Sequence, residues 1–308
     1  MRYRLNDIEA FVLVLETGSI SAAALRLGLA KSVVSKRITG LEAGLGAQLL
    51  HRSTRGTTPT DRGEEFYRRA REFMHQLDGA VEAMAESDEQ LTGQIRIAAP
   101  MSFGTMYLGP MLFDFTNRHP KLELSIELDD RKIDMEAAGF DLAIRIVQLK
   151  DSTLIARKLA VSRRVACCSP AYAKKNGLPK SLDDLANHHC IGYTFVPSGQ
   201  LWQFEGKRSS EEMRSVVVHS QLVLNNGEAM RDAASAGMGI CLIPSFIAAD
   251  ALKEGRLINA LPDETPTADT IYAIYPRLRQ QSAKVRVIVE HLSKCLAGTP
   301  PWEKTTAI

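Results

Sequence analysis

Six side chains close to the start of the chain, Lys31, Ser32, Ser35, Lys36, Arg37 and Thr39, are hydroxyls and cations at close spacing. Wound into a helix, Lys31, Ser32, Ser35, Lys36 and Thr39 lie mainly on one side, opposite Val34, Ile38, Leu41 and Leu45. Short hydroxyls permit close approach, and ammonium groups meet phosphate or guanine, which is the chemistry of the major groove of B-DNA. Further on, His51 to Pro59 is β-branched, basic and turn-forming, with Gly56 available for a tight position. It reads as a short hairpin carrying Arg52 and Arg55 towards a flanking phosphate path or the minor groove. From Arg26 to Arg71 there are ten Lys/Arg against four Asp/Glu, although the whole chain carries only +2. The positive charge is therefore concentrated rather than spread.

Three amphipathic segments must position these groups. Ile8, Phe11, Val12 and Leu15 form one apolar helical face, Gly18 stops that helix, and Ser19 is placed to cap the next. The second segment, Ile20 to Leu27, is rich in Ala and ends at Gly28. The third, centred on Ala30 to Leu45, completes a helix-turn-helix with a basic outer face. Because Ala30 cannot cap it, its start is expected to slip to Ser32. The same periodicity also fits a small helical bundle with a merely solvated face. Thr60 can cap a new helix running to about Ser87, with Asp61 in its first turn and Gly63 where the hairpin must pass. Phe66, Ala70, Phe73, Leu77, Ala80 and Met84 form an alternating 4-3 seam, the pattern of a dimerising linker helix. Packing on its own domain is the other reading of that seam. The acidic and polar run Glu86 to Gln90 reads as a hinge.

Thr17-Gly18-Ser19, Ala22-Ala23-Ala24, Leu27-Gly28, Val34-Ser35, Leu41-Glu42, Leu45-Gly46, Arg52 and Thr60-x-x-Gly63 together resemble the N-terminal domain of LysR-type transcriptional regulators. The resemblance implies that the third segment is the recognition helix, reading bases near Lys31, Ser32, Ser35 and Lys36. Lys31 stands where the family usually has Gln or Pro, so no base preference carries over.

At Gly93 a strand–helix alternation begins, the signature of a parallel α/β sheet. Gln94 to Ala99 reads as a strand, Leu122 to Leu128 as a second, Lys132 to Ala138 as a short helix, and Phe140 to Ile146 as a third strand. A second α/β unit starts near Arg164, with helices at Pro170 to Lys175 and Ser181 to Asn187. Ligands in open α/β sheets sit beyond the carboxyl ends of strands. Met101, Ser102, Phe103, Phe195, Asn225 and Asn226 fall on such segments. Ser102, Asn225 and Asn226 would supply hydrogen bonds and Met101, Phe103 and Phe195 an apolar wall; Ser102 and Asn226 also fit as plain helix caps. An organic anion suits the free N–H groups there.

Gly93-x-Ile95-Arg96-Ile97, Phe140-Asp141-Leu142-Ala143-Ile144-Arg145, Ser169-Pro170-Ala171-Tyr172 and Gly237-x-Gly239-Ile240 resemble the effector-binding region of the same regulators, itself similar to type II periplasmic binding proteins. The resemblance implies a winged helix-turn-helix (1–60), a linker helix (61–91) and a two-lobed α/β effector domain. Its first lobe would be 92–162 plus 267–297 and its second 163–266, with a loose tail at 298–308. The implied partners are promoter DNA, a small-molecule effector and a second or further copies of the chain, with RNA polymerase a candidate. No cofactor, metal or membrane is implied.

The composition excludes much else. With 45% apolar and 24% charged residues in 308, the chain has ample core and no run near the roughly 20 apolar residues of a membrane span. Met1 to Leu5 leads directly into a helix without a secretory h-region, so a cytoplasmic location is expected. Five cysteines without CxxC spacing argue against zinc or a disulfide framework. Cys167, Cys168, Cys190 and Cys241 read as core, and His188-His189 as a loop or helix end. No GxSxG, HExxH or Walker-type loop marks an enzyme. The remaining rivals are an enzyme or solute-binding protein with a helical appendage, and a nucleoid protein binding without sequence preference.

Overall fold

The computed structural model describes residues 3–53, 56–84, 91–131, 134–147, 154–195, 201–206, 212–277 and 282–303, with backbone alone at 52–53, 56, 75, 78–84 and 136–137. The chain forms two compact units, one holding Met1–Glu86 with two short later pieces and the other most of the remaining chain.

In the first unit, α1 (Leu5–Thr17), α2 (Ile20–Leu27) and α3 (Lys31–Leu45) close around Phe11, Val14, Ala23, Ala24, Val34, Ile38 and Leu41. Gly18 and Gly28 end the first two helices at φ 69 and 64, and Ser19 Oγ accepts the Ala22 N–H at 3.1 Å. The α3 helix begins at Lys31 on an uncapped Ala30, not at Ser32 as expected. The Ala30 carbonyl already accepts from Val33 and Val34 N–H, so backbone bonding fixes the start without a side-chain cap. The hairpin is β1 (Leu50–Ser53) against β2 (Gly56–Pro59), with Arg52 opposite Thr57. Its tip, Thr54 and Arg55, lies outside the described residues.

Thr60 Oγ1 accepts the Gly63 N–H at 3.0 Å and donates to the Gln48 carbonyl at 2.8 Å, starting α4 (Asp61–Met84). A Cβ on Gly63 would meet the Leu49 carbonyl oxygen at 1.9 Å. Gly63→Ala is therefore expected to cost about 1–3 kcal/mol, read as a fall in the melting midpoint of the first unit; an unchanged midpoint contradicts the packing. The α4 seam divides. Phe66 packs on the three-helix core with its ring 5.5 Å from Phe11, and Ala70 is buried, while Phe73 is half exposed. The hinge expected at 86–90 lies outside the described residues.

The second unit carries two five-stranded sheets. The first has the order β4 (Leu122–Leu128), β3 (Gly93–Ala99), β5 (Leu142–Val147), β14 (Asp269–Tyr275), β6 (Ile155–Ser162). The second has the order β11 (Ser220–Leu224), β8 (Cys190–Tyr193), β12 (Ile240–Pro244), β7 (Arg164–Cys168), β13 (Ile258–Asn259). A separate hairpin joins β9 (Leu201–Phe204) to β10 (Arg214–Val217). Between β3 and β4 one continuous helical run comprises α5 (Met101–Phe103), a π-helical stretch (Gly104–Leu108) and α6 (Gly109–Arg118). The other helices are α7 (Met135–Ala138), α8 (Pro170–Asn176), α9 (Gly227–Ser235), α10 (Ser245–Lys253) and α11 (Ala283–Cys295).

Each sheet is mixed rather than purely parallel. The β3 strand runs parallel to β4 and β5, but β14 is antiparallel to β5 and β6. The reason lies in the connections. The chain leaves the first sheet through β6, crosses at Arg163 into β7, and returns near Pro266 into β14, so the crossing strands enter against the grain. Two helices are shorter than the sequence suggests: α7 spans Met135–Ala138, and Asp183–Asn187 is a 3-10 turn. The tail is not loose from Gly298. Trp302 is only 2% exposed, seated among Phe103, Tyr107 and Phe246, so apolar burial orders the chain as far as Glu303.

Candidate functional site

On α3, Lys31, Ser32, Lys36 and Thr39 are exposed together, and Ser35 is half-buried beside them. Arg37 stands apart, because its Nη1 donates to the Asn6 carbonyl of α1 at 3.3 Å. That bond braces α3 against α1 from the side. Glu42, which sequence reasoning left without a role, fixes the other end. Its Oε1 accepts the N–H groups of Leu49 and Leu50 at 2.8 and 3.2 Å, locking the start of the hairpin to α3. The only hint in the sequence is a carboxylate one turn before the Gly46 stop. Thr57 N–H donates to the Gly18 carbonyl at 3.3 Å, tying the second hairpin strand to the α1–α2 turn. Backbone and cap contacts thus hold a basic helix face and a basic hairpin in one rigid head. The Arg52 side chain and the whole of Arg55 lie outside the described residues.

A second constellation forms in the other unit, at the carboxyl ends of β3, β4 and β5. Asp130, just past β4, accepts the Met101 N–H at 2.9 Å through Oδ1. Its Oδ2 accepts the Tyr193 hydroxyl at 2.8 Å, and Tyr193 ends β8 of the other sheet. One carboxylate therefore joins the two lobes. Burial and the adjacent carboxylates of Asp130 and Asp129 push the Tyr193 phenol far above its ordinary value, keeping it a neutral donor. Asn226 caps α9 by accepting the Ala229 N–H at 2.8 Å, and its Nδ2 reaches the Met101 sulfur at 3.3 Å.

Ser102 Oγ and Arg145 Nη2, both buried here, have no hydrogen-bond partner among the described residues. Ser102 is 5% exposed, and its Oγ is 3.6 Å from where a Cβ would stand on Gly227 of the opposite lobe. Arg145 Nη1 reaches the Asp129 carbonyl at 3.5 Å, while desolvation pulls the guanidinium below its usual value.

Of the six expected ligand contacts, Met101, Ser102 and Asn226 come together here. Phe195 is 37% exposed with its ring 5.9 Å from Tyr193, and Asn225 is exposed beside Asn226. Phe103 does not line a wall. It is 1% exposed, in an aromatic cluster with Tyr107, Phe246 and Trp302, because the helical turn that presents Ser102 points the next side chain inward. Asp130, Arg145 and Tyr193 escaped sequence reasoning, although an Asp-Asp pair ending a strand and an arginine inside an apolar strand were visible signals.

Cys167, Cys168, Cys190 and Cys241 are buried, as expected, and Cys295 is exposed. Burial pushes Cys168 and Cys190 up to about 12, the reverse of an activated thiolate. Among the described residues no group of three or more His, Cys, Asp or Glu could hold a metal ion, and no helix is long and apolar enough to cross a membrane.

Comparison with known proteins covers both units. A family profile described as "Bacterial regulatory helix-turn-helix protein, lysR family" matches residues 5–64, and one described as "LysR substrate binding domain" matches residues 88–296. The chain is 37% identical over 298 residues to the HTH-type transcriptional regulator PtxR of Pseudomonas aeruginosa, covering 96% of this chain and 94% of that protein. It is 33% identical over 289 residues to the HTH-type transcriptional activator TtdR of Escherichia coli, covering 94% and 92%. Among solved structures it is similar to CrgA, a LysR-type transcriptional regulator from Neisseria meningitidis, at 30% identity and a TM-score of 0.61, covering 95% and 99%.

Proposed function

The chain belongs to the LysR family of bacterial helix-turn-helix transcriptional regulators, and from that premise we propose how its residues divide the work. It is a DNA-binding regulator with an effector-binding domain, and members of this family are not enzymes. The proposed reading head is the exposed face of α3. Ser32 and Ser35 approach base edges, Lys31, Lys36 and Thr39 meet bases or phosphates, and Arg52 and Arg55 grip the flanking backbone. Arg37 is reassigned from DNA contact to bracing. Two heads act together, paired through the Phe73 side of α4 in a dimer or tetramer, because a single recognition helix contacts too few base pairs for promoter specificity. Acting on chromosomal DNA puts the protein in the cytoplasm, with RNA polymerase a further partner.

The effector is proposed to bind between the lobes, against Ser102, Arg145, Tyr193 and Asn226. What carries this reading is the pair of buried, unpartnered polar atoms, Ser102 Oγ and Arg145 Nη2. Buried hydrogen-bonding groups ordinarily have partners, and an effector held here would supply them. A guanidinium with an open Nη favours an organic anion, which it holds by charge-assisted hydrogen bonds. The N–H of Met101, by contrast, is already satisfied by Asp130. Effector preference for one lobe arrangement would change the spacing or bend between the paired heads.

The test is a thermal-shift screen with small carboxylates, neutral sugars and amines. A fitting anion at about 100 times its Kd is expected to stabilise the protein by about 2.7 kcal/mol, and the shift should vanish in Arg145→Gln while DNA binding survives. Stabilisation by sugars or amines alone, or an undiminished shift in Arg145→Gln, refutes the anion reading.

A further inference from the structure

The C-terminal segment lies beyond the residues that the family profile matches. The matched effector domain stops at residue 296 and the chain from Ala297 to Thr299 is exposed, yet Trp302 is buried at the junction between the lobes. The Trp302 ring lies 4.8 Å from Tyr107 and 6.1 Å from Phe103, both on the helical run of the first lobe. It lies 5.7 Å from Phe246, which belongs to α10 of the second lobe. The same three side chains also meet without it: Phe103 and Phe246 are edge-on at 5.6 Å, and the Tyr107 hydroxyl donates to the Phe246 carbonyl at 3.4 Å. The indole therefore fills the angle of an existing contact between lobes. Beside it, Glu303 is ion-paired with Arg163, the residue at which the chain crosses from β6 to β7. One short segment thus touches the first lobe, the second lobe and one of the two crossings.

We propose that Trp302 is a positioning residue: residues 299–303 form a brace that sets the angle between the lobes and, through Phe103, the placement of its neighbour Ser102. Aromatic rings at these separations have preferred offset and edge-on geometries. A change of lobe angle breaks the indole's contact with one side or the other, so the brace defines one lobe arrangement as the resting one. The consequence for effector response rests on the reading that the effector binds between the lobes. The brace itself does not, and its test uses no effector.

The experiment is pulsed electron paramagnetic resonance on the full chain. Spin labels go on Ser125→Cys in the first lobe and Lys174→Cys in the second, both exposed positions, in a Cys295→Ser background because Cys295 is the exposed cysteine. Labelled chain is diluted with unlabelled chain to suppress distances between copies. The parent is expected to give one narrow interlobe distance. Trp302→Ala should shift and broaden it, Glu303→Ala should broaden it less, and Trp302→Phe should restore the parental distance. If Trp302→Ala does not fold, the contrast between Glu303→Ala and Trp302→Phe decides. Parental distributions in Trp302→Ala and Glu303→Ala overturn the brace, whatever their melting midpoints do. If the brace holds but no anion binds between the lobes, only the reading of the cleft fails.

Discussion

Replacing Lys31 and Lys36 together by alanine is expected to weaken binding to every duplex and to flatten its dependence on salt. Both ammonium groups are exposed on the same face of α3. In a dimer the double substitution removes four cations. If all four neutralise phosphates, the slope of log K against log salt falls by about 3.6, at about 0.9 per phosphate. Arg52→Ala should act the same way with a smaller change. Ser35→Ala should behave differently, because a hydroxyl facing base edges sorts sequences instead of holding backbone. Its expected effect is a loss of discrimination at the bases it meets, smaller than the roughly 1–3 kcal/mol of a bidentate pair, with the salt slope unchanged. Titrations of a mapped site and a scrambled duplex at several salt concentrations separate the two behaviours. A uniform, slope-changing loss from Ser35→Ala would reverse the roles given to that face.

The second large effect concerns Phe103, where the sequence suggested a pocket wall and the structure has a core. Phe103→Ala empties a fully buried ring site among Tyr107, Phe246 and Trp302. The cost of such a truncation is about 3–5 kcal/mol. For a unit of this size that corresponds to a fall of roughly 10 °C in its melting midpoint. Phe103→Leu, which keeps most of the volume, should cost far less. A wall residue would give the opposite pattern, with an unchanged midpoint and an altered effector response. Differential scanning calorimetry on the two variants reads the difference directly.

Local chemistry explains which parts were legible in advance. The reading head was legible because each of its devices is short-range: Ser19 caps three residues ahead, Gly18 and Gly28 stop helices where they stand, and Thr60 bonds to Gly63. The wing and the start of α4 were legible for the same reason. The two-sheet unit was legible as alternating strands and helices, but not in its strand directions. Nothing near β14 announces that its neighbours β5 and β6 lie more than a hundred residues earlier and run against it. The cleft residues that sequence reasoning missed share that property. Asp130 acquires its role only when Tyr193, 63 positions later, is brought to it. Trp302 is the extreme case, since paired prolines near a terminus ordinarily mark fraying and its partners begin some two hundred residues upstream. Phe103 was misread in the other sense: its neighbour Ser102 does face the lobe junction, and adjacent residues on a helical turn point in different directions.

Sequence reading is proposed to rest on the hydroxyl-and-lysine face of α3, acting as one of a pair. It is tested most directly by anisotropy titration of the purified chain at physiological salt. The probes are a duplex recovered from its own bound genomic fragments and the same duplex scrambled. Binding to the recovered site is expected to be at least about a thousandfold tighter, with two chains per site and half-sites one or more helical turns apart. Equal affinity for both duplexes, or one chain per site, would contradict it.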